Sequence, residues 1–192
     1  MDTQTWDTLV ASMKNAYSAD LAQGTVPRPV LMPLVRGELV GLVGLRPTQV
    51  GKDAMSAIVE LSNVASAASA DEVVLAWETQ DVAAACGLPV TAPAPCLNLV
   101  HATKEGHVLH QLPYTHTHAP LDSAAGGTAG AGPTWLPAPG PQPDGELSPP
   151  IRAALDYSFT PLELDHPSPF GVTVLLMEDD GYTVRLTDAF TP

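Results

Sequence analysis

Five histidines fall within a short stretch of this chain: His101, His107, His110, His116 and His118. A neutral imidazole is a ready ligand for zinc, and alternate residues of a strand share a face. His116 and His118 are therefore spaced to offer two ring nitrogens to one ion, with His110 at the same parity. A zinc site needs further donors, and Asp122, Glu38 and Glu78 have suitable chemistry, although spacing alone does not choose among them. Zinc on His116, His118 and His110 would serve metal-assisted hydrolysis. The competing reading is a hairpin whose histidines are surface and cross-strand residues without a shared centre. A second place is Trp77 and Glu78, at the end of an apolar run, where open α/β sheets often carry their sites. A small-molecule pocket there competes with a plainer assignment: Glu78 as a helix cap or ion-pair partner, and Trp77 as a core aromatic. Asp156, Asp179 and Asp180 read as turn or solvent acids, and the pairs Asp2/Asp7 and Glu163/Asp165 have no spacing that demands acid–base work.

The segment HTHAPLDS, beginning at His116, resembles the metal-binding core of the JAMM/MPN metalloprotease family, in which an H-x-H pair follows a strand and an upstream glutamate activates a zinc-bound water. The resemblance implies zinc and hydrolysis, with Glu38 in GELVGLVG matching that glutamate. The chain departs from the pattern in two places. Ala119 separates His118 from Pro120, and Gly126 and Gly127 lie where the family's downstream serine and aspartate are expected. There is no G-x-G-x-x-G, G-x-x-x-x-G-K-[ST] or G-x-S-x-G segment to support nucleotide binding or α/β-hydrolase chemistry.

The elements that would position these residues follow from periodicity. Trp6, Leu9, Val10, Met13, Tyr17 and Leu21 recur at helical spacing, with Gly24 as a terminator. Val30–Val35 and Glu38–Leu45 flank Arg36-Gly37 as a first hairpin, and Pro33 suggests that its first strand lies partly at a sheet edge. Residues 52–67 return to the helical period, Glu72–Trp77 reads as a strand buried on both faces, and Asp81–Cys86 as a brief helix closed by Gly87. Residues 96–114 form a second hairpin. With Glu105-Gly106 as its loop, Leu99 faces Leu112, Leu97 faces Tyr114 and His101 faces His110. Ser148-Pro149-Pro150 opens a short helix, and Asp180-Gly181 centres a third hairpin that pairs Leu175 with Leu186 and Met177 with Val184. Residues 119–147 are rich in Pro, Gly and Ala and are expected to form a surface loop, with Trp135 and Leu136 either anchoring it to the body, the favoured reading, or docking it on a partner.

The expected fold is α/β (α+β): a mixed sheet built from three β-hairpins and one buried central strand, helices on at least one face, and a long Pro/Gly-rich surface loop. Residues 1–118 form the main body, 119–147 the loop, and 148–192 a helix and hairpin that complete the same domain. The chain has 192 residues, enough for one sizeable core. Its two cysteines, Cys86 and Cys96, read as buried thiols.

Eight Lys and Arg against 21 Asp and Glu give a net charge of −13, which argues against nucleic acid and anionic membranes as partners. Solubility is the plainer meaning of that charge, and a basic protein partner the sharper one. The opening MDTQTWDTLV lacks the pattern of a signal peptide, and no window suits a membrane span, so a cytoplasmic protein is expected, or a virion protein if the source is a phage. Abundant Ala, Pro, Val and Gly suggest a high-GC genome, an actinobacterium or its phage. The leading functional expectation is a non-enzymatic protein-interaction or accessory/assembly module without a cofactor, binding a protein partner or a second copy. The alternative is a zinc-dependent hydrolase using residues 101–118.

Overall fold

The computed structural model describes residues 1–90, 94–116 and 132–190. The strands are β1 (Val30–Val35), β2 (Glu38–Leu39), β3 (Gly41–Gly44), β4 (Glu72–Glu78), β5 (Cys96–Thr103), β6 (Gly106–His116), β7 (Pro133–Trp135), β8 (Gln142–Pro143) and β9 (Thr183–Leu186). The helices are α1 (Thr3–Ala22), α2 (Lys52–Glu60), α3 (Ser62–Ala67), α4 (Thr79–Cys86), α5 (Pro149–Ser158) and α6 (Pro169–Asp179), with a 3₁₀ turn at Asp188–Phe190. Among the described residues the strands form one sheet in the order β7-β6-β5-β4-β1-β3-β9, with β2 beside β1 and β8 beside β6. Every pairing is antiparallel, so the expected mixed sheet is an antiparallel one.

The alternation of side chains along the central strands creates two cores. One face of β1, β4 and β5 presents Met32, Leu34, Val74, Ala76, Leu97 and Leu99 to α1, whose Tyr17 is buried and whose Trp6, Leu9, Val10 and Met13 pack alongside. The opposite face presents Leu31, Val73, Leu75, Trp77 and Val100 to the other helices, with Ile58, Leu61, Val64, Ile151 and Leu155 meeting it. Residues of β4 alternate between these two cores, which is why Glu72–Trp77 is nearly continuous in apolar character. No helix of the described residues is long and apolar enough to cross a membrane.

Local signals explain most of the elements. Asp2 caps α1 by accepting from Thr5 N at 2.9 Å, and Gly24 ends it at a φ of 73°. Arg36 and Gly37 both take positive φ, 54° and 80°, as a tight turn of right-twisted strands requires. The predicted helix over 52–67 is two segments meeting at Leu61, whose N–H reaches back only to Ile58 O.

Four expectations need correction. Pro33 lies in an interior strand, opposite Val73 of β4. Its tolerance there comes from a bulge on its other side: β2 pairs Leu34 with Leu39, β3 pairs Leu31 with Val43, and the one-residue change of register falls opposite Met32 and Pro33. The second hairpin turns at Lys104-Glu105, so Leu97 faces Leu112, Leu99 faces His110 and His101 faces Val108. The third hairpin does not form, because its first half is helix α6, begun by Pro169 after Ser168, and β9 pairs with β3 instead. Within residues 119–147, those from 119 to 131 lie outside the described residues, and the remainder carries β7 and β8, both paired to β6.

Trp135 does anchor that segment. Its ring packs against Tyr17 and Tyr114, its Nε1 donates to Ser18 Oγ at 3.3 Å, and the Lys14 ammonium lies 4.8 Å above it. Leu136 is exposed beside it.

Candidate functional site

The histidines divide between the two faces of the β5–β6 hairpin. His101 and His110 are diagonal neighbours on the α1 side, and Trp6 covers both, its ring 6.0 Å and 4.4 Å from theirs. His101 Nε2 meets Glu72 Oε2 at 2.7 Å, and the same oxygen holds the Met1 amino group at 2.6 Å. Burial, then the neighbouring His101, keep His110 neutral to lower pH than an ordinary histidine. His107 points to the other side, with Nε2 2.9 Å from Gly145 O. His118 and Asp122 lie outside the described residues, as does the His116 side chain. Among the described residues no three His, Cys, Asp or Glu side chains gather as a metal site. Glu38 adjoins Val35, at the end of the sheet marked by Glu72, whereas His116 extends past Pro113 at the end marked by Glu78. The length of β4 alone, about 20 Å, separates those ends.

Glu78 is a cap rather than a lone acid. It is 2 % exposed, and its Oε2 accepts from Asp81 N at 2.6 Å while Oε1 accepts from Cys96 N at 2.9 Å. One carboxylate thereby starts α4 and fixes the entry of β5. Partial desolvation and the adjacent Glu78 carboxylate push Asp81 up to about 6. A carboxyl raised in the folded state binds its proton more tightly there than in the unfolded chain. Stability is then fully present below the ordinary value near 3.8 and falls as pH rises through about 6. Asp81→Asn is expected to raise the melting temperature at pH 7.5 and to leave it unchanged at pH 3.5, as thermal denaturation at the two pH values would show. Both cysteines are free and buried, and burial pushes Cys96 up to about 11, which leaves little thiolate for nucleophilic chemistry.

The feature that sequence periodicity did not locate is the face formed by α6 and β9. Helix α6, PFGVTVLLMED, is apolar nearly all round, a pattern that belongs to a helix enclosed on every side. Only one side is enclosed here. Thr173, Val174 and Met177 are buried against α3 and β9, while Leu175 and Leu176 are 62 % and 56 % exposed. A groove of about 560 Å³ runs between the helix and the strand, lined by Val172, Leu175, Glu178, Val184 and Leu186. Strand β9 ends the sheet, with β3 as its one ladder partner among the described residues. Thr187 N donates to Val40 O at 3.0 Å, and antiparallel ladders alternate, so the N–H groups of Val184 and Leu186 point to the open side.

Comparison with known proteins does not add to this geometry. No protein family, curated protein or solved structure matches the chain.

Charge in the C-terminal segment that builds the groove is one-sided, while Glu178 and His166 line the groove itself. From Pro161 to the C-terminus the sequence carries six carboxylates, Glu163, Asp165, Glu178, Asp179, Asp180 and Asp188, against the single guanidinium of Arg185. Leu162 and Leu164 are also exposed in the segment leading to α6. The strand itself has neither proline nor lysine, and Arg185 is its single charged guard.

Proposed function

We propose that this protein is a non-enzymatic interaction module that accepts an extended, basic-flanked segment of a partner protein as an added strand on β9. The observation that carries this reading is the exposure of Leu175 and Leu176 on an otherwise enclosed-type helix, beside a strand edge without a ladder partner among the described residues. Strand addition draws its affinity from main-chain hydrogen bonds and its specificity from pockets for alternate side chains. Val184 and Leu186 offer the first, and the groove against Leu175 offers the second. The surrounding carboxylates favour lysine or arginine on the incoming segment, and at −13 overall they oppose pairing with a second copy. An accessory or assembly role in a high-GC bacterium or its phage is in keeping with the composition.

The test uses a fluorescent peptide of alternating valine and lysine, with an alternating valine–glutamate peptide as control, and fluorescence anisotropy as readout. The lysine peptide is expected to bind and the glutamate peptide not to. Leu175→Ser/Leu176→Ser, which removes apolar surface at exposed positions without touching the core or changing the charge, is expected to weaken binding at least ~10-fold, as loss of an interface anchor does. Equal binding of the two peptides, or indifference to the double substitution, would refute the reading. A wild-type dimer in light scattering that the same substitution dissociates would replace the partner with a second copy.

A further inference from the structure

Trp77, Asn98 and Gln111 stand side by side across β4, β5 and β6, on the face that elsewhere builds the main core. The next row along these strands on that face, Leu75, Val100 and Leu109, is fully apolar and buried. A cavity of about 540 Å³ lies over the polar row, walled by Thr79 and Val82 of α4, by Gln142 of β8 and by Ser148 at the head of α5. We infer that this cavity is a binding site for a flat, uncharged heterocycle bearing adjacent hydrogen-bond donors and acceptors. Its site is distinct from the β9 edge, and it does not depend on the interaction reading.

The side chains argue for that chemistry. Asn98 is 2 % exposed, and its amide nitrogen is committed to Thr79 Oγ1 at 2.6 Å and Cys96 O at 3.2 Å. That fixes the orientation of its carbonyl, which among the described residues meets only the weak Cys96 thiol donor at 3.9 Å. Gln142 Nε2 donates to Gln111 Oε1 at 2.9 Å, so the two carboxamides are held edge to edge. Ser148 Oγ is buried with no hydrogen-bond partner among the described residues, a state that costs free energy unless something fills it. Carboxamides arranged in this way pair with the mixed donor–acceptor rim of a ring such as a nucleobase or nicotinamide, and Trp77 with Val82 and Leu147 supplies apolar surface. The lining holds no lysine, arginine or histidine, and its one charge is Glu146, so a phosphate or carboxylate ligand has no counter-ion there.

Saturation-transfer NMR on the full chain, with adenine, uracil, nicotinamide and glucose as separate probes, tests this directly. At least one of the three heterocycles is expected to show transfer and to titrate, and glucose is not, which separates a flat ring from a polyhydroxyl one. Gln111→Ala/Gln142→Ala is expected to lower the affinity about 10-fold, the effect of one lost buried hydrogen bond. Ser148→Ala, which removes a single oxygen and spares the fold, is expected to act in the same direction. Leu175→Ser/Leu176→Ser should leave the affinity unchanged. Silence from all three heterocycles, binding of glucose alone, or binding that neither cavity variant alters would overturn the assignment.

Discussion

Glu78→Ala is expected to destabilise the protein by about 2–4 kcal/mol, a large part of the ~5–15 kcal/mol that holds a typical domain together. The substitution removes two hydrogen bonds from one buried carboxylate, those from Asp81 N and Cys96 N. Losing a helix cap costs ~0.5–2 kcal/mol, and each backbone N–H left buried without an acceptor adds ~1–3 kcal/mol, offset in part by local relaxation. Glu78→Gln keeps the side-chain length and one good acceptor oxygen, so it should recover about half of the loss. Urea denaturation monitored by circular dichroism measures both variants. If Glu78→Ala were as stable as the wild type, the two hydrogen bonds would not be holding α4 and β5 together.

Gly41→Val is expected to detach β9. A Cβ at Gly41 would press on the Arg185 carbonyl oxygen and approach Leu186 Cα at 3.0 Å, so the strand itself has to move. Overpacking of this kind costs about 1–3 kcal/mol, and here it acts on the pairing that joins β9 to β3. Gly44→Ala is the matched control in the same strand, because its Cβ would meet Thr183 Cβ at an ordinary 3.5 Å. Limited proteolysis should cleave the Gly41→Val protein in residues 180–190 well before the wild type, with Gly44→Ala unchanged. Peptide binding at the open edge should fall in parallel, since β9 supplies the hydrogen-bonding groups. Equal proteolysis of all three proteins would mean that β9 is held by contacts other than its ladder with β3.

The parts of the fold that were legible in the sequence are those with a clean period or a clear stop signal. Helix α1, the Arg36-Gly37 turn, the buried β4 and the Gly87 terminus of α4, at a φ of 66°, all fall where periodicity and turn chemistry put them. The β5–β6 hairpin was placed two residues out of register, because Lys104-Glu105 and Glu105-Gly106 are both acceptable two-residue loops. A shift of two preserves the face of every side chain, so the apolar face was right while the partners were wrong. It also concealed that Asn98 lies opposite Gln111, part of the row under the polar cavity. Helix α6 was missed for a different reason. An apolar run that shows no polar stripe has no periodicity to read, and Asp180-Gly181 matches a hairpin turn as well as a helix end. Gly181 at a φ of 93° serves as the end of the helix. Pro169 after Ser168 was the available signal for its start. Sequence position allows Glu78 to be either a site acid or a cap, and two backbone hydrogen bonds make it a cap.

The central claim is that β9 is an acceptor edge, and hydrogen–deuterium exchange of the full chain with the alternating valine–lysine peptide tests it most directly. The account predicts slowed exchange at the Val184 and Leu186 amides, which face the open side, with Arg185 little changed because its amide already faces β3. The protection should vanish in Leu175→Ser/Leu176→Ser. Unchanged exchange at Val184 and Leu186 under saturating peptide, or protection confined to another part of the sheet, would contradict it.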